Sequence, residues 1–258
     1  MSLEKLITIS SDDKDADSNS NSDFFVSLKE RFYTQQIQRI MIKEATVPNC
    51  FYNLSDGVNN GKQNNVLDYN DSKNAQTFTI TPAQYNIDQF ILALVAGFAS
   101  NTDVVVITQD DLTQKLIFNF TQTTTLFVSS LMAPVLGITA NLVCPAGVPT
   151  SPQFPPDLSG INAVNIHSSA LAEAHGIDSN TGLISLVERV SLHDIPFGSF
   201  GYKMNNDSDL ATIFYEQPRN LNRIDIRLRD TRGAILNIGT KKFTMVVKCY
   251  FAWLSEAI

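Results

Sequence analysis

Residues 223–251 read RIDIRLRDTRGAILNIGTKKFTMVVKCYF. Ile224, Ile226 and Leu228 alternate with Asp225, Arg227 and Arg229, and Phe243, Met245, Val247, Cys249 and Phe251 make a second row at the same spacing. Successive side chains of a pleated chain point to opposite faces, so a period of two marks a strand with one face buried. Between the rows, Asp230-Thr-Arg-Gly233 is a turn with Gly233 as its flexible point. The stretch therefore predicts two strands joined through a turn, each with one dry and one wet face.

The same pattern extends upstream. INAVNIHSSAL (161–171), LISLVERVSL (183–192), FGYKM (200–204) and ATIFYEQ (211–217) are short apolar-rich segments separated by Gly, Pro, Asn or Asp clusters. Ile37–Val47 is a long β-type run that stops at Pro48-Asn49, QTFTIT (76–81) alternates, and DVVVIT (103–108) with KLIFNF (115–120) reads as a hairpin. Many short strands with long connections predict an all-β fold, a single antiparallel jelly-roll β-sandwich with one or two short helices in the connections.

One helix is locally well specified. Asn86 is a good N-cap, Gln89 completes a capping box, and Tyr85 and Phe90 stand at the hydrophobic-staple positions. Ile87, Phe90, Ile91, Leu94 and Val95 form one apolar stripe, and Gly97 is the expected stop. A helix of about three turns covering an end or edge of the sandwich is predicted. TTLFVSSLMAPVLGI (124–138) is ambiguous and admits a second helical turn ending at Pro134 or Gly137.

Three segments read as loops or tails. Residues 11–23, SDDKDADSNSNSD, carry almost nothing to bury, so residues 1–23 are expected to form a flexible acidic arm ahead of a jelly-roll domain over 24–258. Asp13, Asp15 and Asp17 do not make a calcium loop, because Ser18 stands where an EF-hand needs glycine and Phe24 where it needs glutamate. Residues 55–75 are rich in Asn, Asp, Gly and Ser and read as a long exposed loop. Residues 144–160 hold five of the ten prolines and read as a second long loop with extended pieces.

Composition narrows the function. The net charge of −7 over 258 residues opposes neutralisation of a phosphate backbone, so no direct nucleic-acid contact is expected. Cys50, Cys144 and Cys249 are odd in number and widely spaced, which suits inert thiols in a reducing compartment. MSLEKLITIS lacks the apolar region of a secretory signal, and no run reaches the ~18–20 apolar residues of a membrane span, so a chain made in the cytosol is expected. The Asn-x-Ser/Thr sites at Asn53, Asn119 and Asn206 then carry no weight.

Catalytic patterns are scarce. His167 lies in a strand, and His175 and His193 at turns; none has metal-ligand spacing, and no cupin-type His-x-His pair occurs. There is no Gly-x-Ser-x-Gly elbow and no phosphate-binding glycine loop, Cys144-Pro145 offers no nucleophile context, and Asp110-Asp111 suits a solvated turn. No catalytic, cofactor-binding or metal site is assigned, and no enzyme is expected. Glycosidase carboxylates come from distant positions and leave no local motif, so a hydrolase is a further reading that sequence alone leaves open.

YTQQIQRIMIKEATVPNCFYNL (33–54), FTITPAQYNIDQFILALV (78–95), LMAPVLGI (131–138) and INAVNIHSSAL through KCYF (161–251) together resemble the penton, or minor capsid, proteins of virophages and polinton-like viruses. The resemblance covers roughly residues 24–252, with Ala83 where that family often has glycine after proline. It implies a structural capsid subunit that forms a homopentamer at the fivefold vertices and contacts the major capsid protein, and so a location in the virion. The acidic arm would then order on meeting neighbouring capsid proteins, and the 55–75 and 144–160 loops would be contact elements. An alternative is a jelly-roll module that binds carbohydrate or a host receptor through loop aromatics such as Tyr52, Tyr69 and Phe154.

Overall fold

The computed structural model describes residues 4–28, 36–57, 63–72, 74–101, 105–172, 185–205 and 212–251. The chain divides into two compact units, Met1–Phe51 with Ile161–Ile258, and Tyr52–Gly160.

The first unit holds β1 (Glu4–Ser10), β2 (Asp23–Ser27), β3 (Ile37–Pro48), β10 (Ala163–His167), β11 (Leu186–Ser191), β12 (Phe200–Met204), β13 (Thr212–Arg219), β14 (Arg223–Arg229) and β15 (Thr244–Phe251). One sheet runs β1-β15-β3, with β12 and β13 both beside β3, and the other runs β11-β10-β14-β2. All pairings are antiparallel. β12 pairs the Glu44–Pro48 end of β3 and β13 the Ile37–Met41 end, so the two share one sheet position. Among the described residues, nine strands thus fill eight positions, in chain order 1-8-3-6 in one sheet and 5-4-7-2 in the other. That is the pair of Greek keys that defines a jelly roll. The alternation seen in sequence sets its core: Ile224, Ile226 and Leu228 of β14 and Met245, Val247 and Cys249 of β15 are buried in one cluster with Ile7, Ile9, Phe24, Val26, Ile40 and Ile42. Gly233 has φ +88°, the left-handed conformation that its turn demands.

The expected flexible arm over 1–23 is corrected. Residues 4–10 are β1, paired with β15 along its whole length from Glu4↔Tyr250 to Ser10↔Thr244. Ile7 and Ile9 enter the core, a contribution hidden in sequence because they are so few. A domain boundary at residue 24 is therefore not what the fold shows; the jelly roll uses β1 and is interrupted after Phe51 by the second unit.

That second unit contains a sheet of β5 (Ala75–Thr79), β4 (Val66–Asn70), β8 (Thr124–Leu126) and β9 (Leu142–Cys144), a hairpin of β6 (Val105–Gln109) and β7 (Leu116–Phe120), and α1 (Ile87–Ser100). β4 corrects the expected 55–75 loop: five residues among turn-forming neighbours suffice, because Leu67 and Tyr69 are fully buried. Asn86 and Gln89 form the reciprocal capping box. The helix passes through Gly97 to Ser100, where the sequence placed its stop. A Cβ at Gly97 would lie 2.3 Å from the Phe78 ring, so this glycine serves close packing. Phe90, Leu94 and Phe98 bury into the second unit's own core, not the sandwich core that the sequence suggested. The Leu131–Gly137 stretch is a run of turns that includes one helical turn, with Leu136 N–H donating to Met132, and is closed by Ile138 N–H donating to Ala133; it does not extend into a second α-helix.

Candidate interaction surface

The residues singled out in sequence fall into structural places. Cys144 and Cys249 are buried free thiols whose pKa burial pushes up to about 11 and about 12, so thiolate chemistry is suppressed. Burial likewise raises that of Cys50. His167 is buried in β10 with Nδ1 3.2 Å from Ser185 Oγ, His193 is exposed with Nε2 3.5 Å from Asp194, and His175 and Asn206 lie outside the described residues. Asp110 binds the β6–β7 turn, accepting from Thr113 and Leu112. Among the described residues, no group of three or more His, Cys, Asp or Glu is arranged to hold a metal ion.

The loop aromatics separate. Tyr69 is fully buried and meets Phe78 and Phe98 edge to face at ring-centroid distances of 6.0 and 5.0 Å, so it is core and not a ligand platform. Phe154 is exposed in the Pro-rich loop, whose backbone is tied down by Thr150–Phe118, Phe154–Gly137 and Asp157–Val135 hydrogen bonds. Asn53 is a buried organiser of the second unit. Its Nδ2 donates to Tyr85 O and Leu158 O at 2.8 and 3.0 Å, and its Oδ1 accepts from Tyr85 N. It is a structural residue and no glycosylation site.

An exposed apolar row lies on the outer face of the β1-β15-β3 sheet. Phe200, Tyr202 and Met204 alternate along β12 and are 52, 55 and 59% exposed. The alternation is that of an ordinary strand, with Gly201 buried, but here the apolar row points outward. In the neighbouring β13, Phe214 is 49% exposed. Register places Phe214, Arg39 and Tyr250 in one cross-strand row. The Arg39 guanidinium lies 4.0 Å from the Tyr250 ring centroid and 5.7 Å from that of Phe214. The backbone of β12 is also oriented for contact. Asn49 N–H donates to Ser199 and Asn205 N–H to Lys43. Antiparallel ladder bonds recur at every second residue, so Gly201 and Lys203 face β3 while Phe200, Tyr202 and Met204 turn their backbone groups away from it, at the end of the sheet.

Tyr, Phe, Met and Arg are the residues enriched where proteins meet, and a contiguous apolar row on an edge strand is what monomeric proteins avoid. No single residue in FGYKM separates outward from inward apolar positions; only the register against β3 does. No family model matches the chain, and no curated protein matches it. Among solved structures, one to which it is similar is a viral protein. The mavirus penton protein crystal structure aligns with a TM-score of 0.48 and 8% identity, over 97% of this chain and 99% of that one. The jelly-roll assignment itself rests on strand order and register.

Proposed function

We propose that the chain is a non-catalytic structural protein of a viral capsid, a penton or minor capsid subunit that assembles as a homopentamer at the fivefold vertices and contacts the major capsid protein. The outward apolar row Phe200–Tyr202–Met204 on β12, with Phe214 exposed on β13 at the other end of β3, is the observation that supports this reading best. A rigid antiparallel sandwich presents a fixed surface, and a heterologous contact repeated around an axis closes into a ring without further machinery. Burying such a row removes apolar area worth roughly 25 cal/mol per Å² from water, though association costs absorb much of it. The double substitution Tyr202→Asp/Met204→Asp tests the surface, because both side chains are exposed and carry little of the fold. Sedimentation velocity is expected to find a closed oligomer in the wild type and a folded monomer in the variant. A variant that keeps the wild-type sedimentation coefficient contradicts the assignment of this face.

A further inference from the structure

The acidic segment 11–22 does more than join β1 to β2. β2 ends its sheet, and Leu28 N–H donates to Asn222, so by the antiparallel alternation Phe24 and Val26 bond β14 while Asp23, Phe25 and Ser27 turn their backbone groups outward. Each of these three is met by the acidic segment. Asp15 N–H donates to Phe25 O at 2.8 Å and Ser20 N–H to Asp23 O at 3.0 Å. Phe25 N–H donates to Ser18 Oγ and Ser27 N–H to Asp15 Oδ1, both at 3.0 Å. The cover is pinned by charge: Arg223 of β14 donates to Asp15 Oδ2 at 2.8 Å and also to Asp17, while Lys242 Nζ lies 2.7 Å from Asp12. Arg223 also lies over the Phe25 ring.

We propose that this segment is a detachable guard on the β2 edge, and that when it is released β2 pairs antiparallel with β2 of a second copy of this chain. The charged pins lie at the surface, with side-chain exposures of 22% for Asp15, 38% for Arg223 and 63% for Asp17, so salt screens the ionic part of the hold. The uncovered edge is self-complementary about Phe25. Pairing Phe25 with Phe25 sets Asp23 opposite Ser27, which brings Arg223, freed from its carboxylates, onto the same outer face as the other copy's Asp23. The edge is distinct from the β12 face, and this inference stands without the capsid reading.

Amide exchange of the full chain tests it. In Asp15→Asn/Asp17→Asn held dilute enough to stay monomeric, Phe25 and Ser27 amides should exchange at least about ten-fold faster while Phe24 and Val26 stay protected, and raising the concentration should restore their protection as β2 pairs between copies. Phe25→Cys added to that variant should then give an intermolecular disulfide that Phe25→Cys alone does not. In case the double variant fails to fold, the unsubstituted protein should show the same selective acceleration at Phe25 and Ser27 when moved from low to high salt. Unchanged exchange under both conditions, or accelerated exchange with no cross-link, overturns the proposal.

Discussion

Asp225 shows how one residue ties sequence pattern to local structure. It occupies an outward position in the alternation of β14, yet it is buried, because the turn after β10 folds over it. Burial alone works against its charged form. Hydrogen bonds from Ser169 Oγ at 2.6 Å, Ser169 N–H at 3.0 Å and Ala170 N–H at 2.8 Å, with Arg227 nearby, outweigh that and hold its pKa below the usual carboxylate value. A depressed folded-state pKa contributes stability that is complete above the unfolded value of about 3.9 and is lost as pH falls through the folded one. Asp225→Asn should therefore destabilise by about 2 kcal/mol at neutral pH and by less in acid, measured as urea midpoints at several pH values. Gly97→Ala presses a methyl into the Phe78 ring and should cost about 1–3 kcal/mol despite alanine's better helix propensity, as read by chemical denaturation. Neither partner was legible in the sequence, since Ser169 is 56 residues from Asp225 and Phe78 lies on a different element from Gly97.

At the scale of elements, the sequence was most informative where one segment carries its own signal. β14 and β15 are strands by alternation, and α1 begins at Asn86 by its capping box, all of which the structure contains. Asn86→Ala should lower stability by about 1 kcal/mol, and Phe98→Ala, which removes a ring packed on Tyr69, Phe78 and Phe120, by about 3–5 kcal/mol in the same assay. Elements defined by distant partners were not legible. β1 has two core residues and owes its place to β15, some 240 residues away, and β4 sits within turn-rich sequence. The acidic segment looked like a solvated tail because its partner Arg223 is 206–208 residues downstream. Its composition was read correctly and its destination was not.

The first unit follows a jelly-roll path that sequence could anticipate as a class, because short alternating strands with long connections have few antiparallel solutions. The insertion of a second unit between β3 and β10 was not anticipated, since Tyr52–Gly160 has the same strand-and-turn texture as the rest and only contacts separate them. The candidate surface was equally hidden: FGYKM resembles any half-buried strand until its register shows the apolar side turned outward. If that surface closes subunits into a ring, it fixes a single stoichiometry. Native mass spectrometry of the purified full chain tests this most directly. A dominant species of five copies of the 28.5 kDa chain is expected, falling to one copy in Tyr202→Asp/Met204→Asp. A stable trimer, or a monomer at the highest attainable concentration, would contradict it.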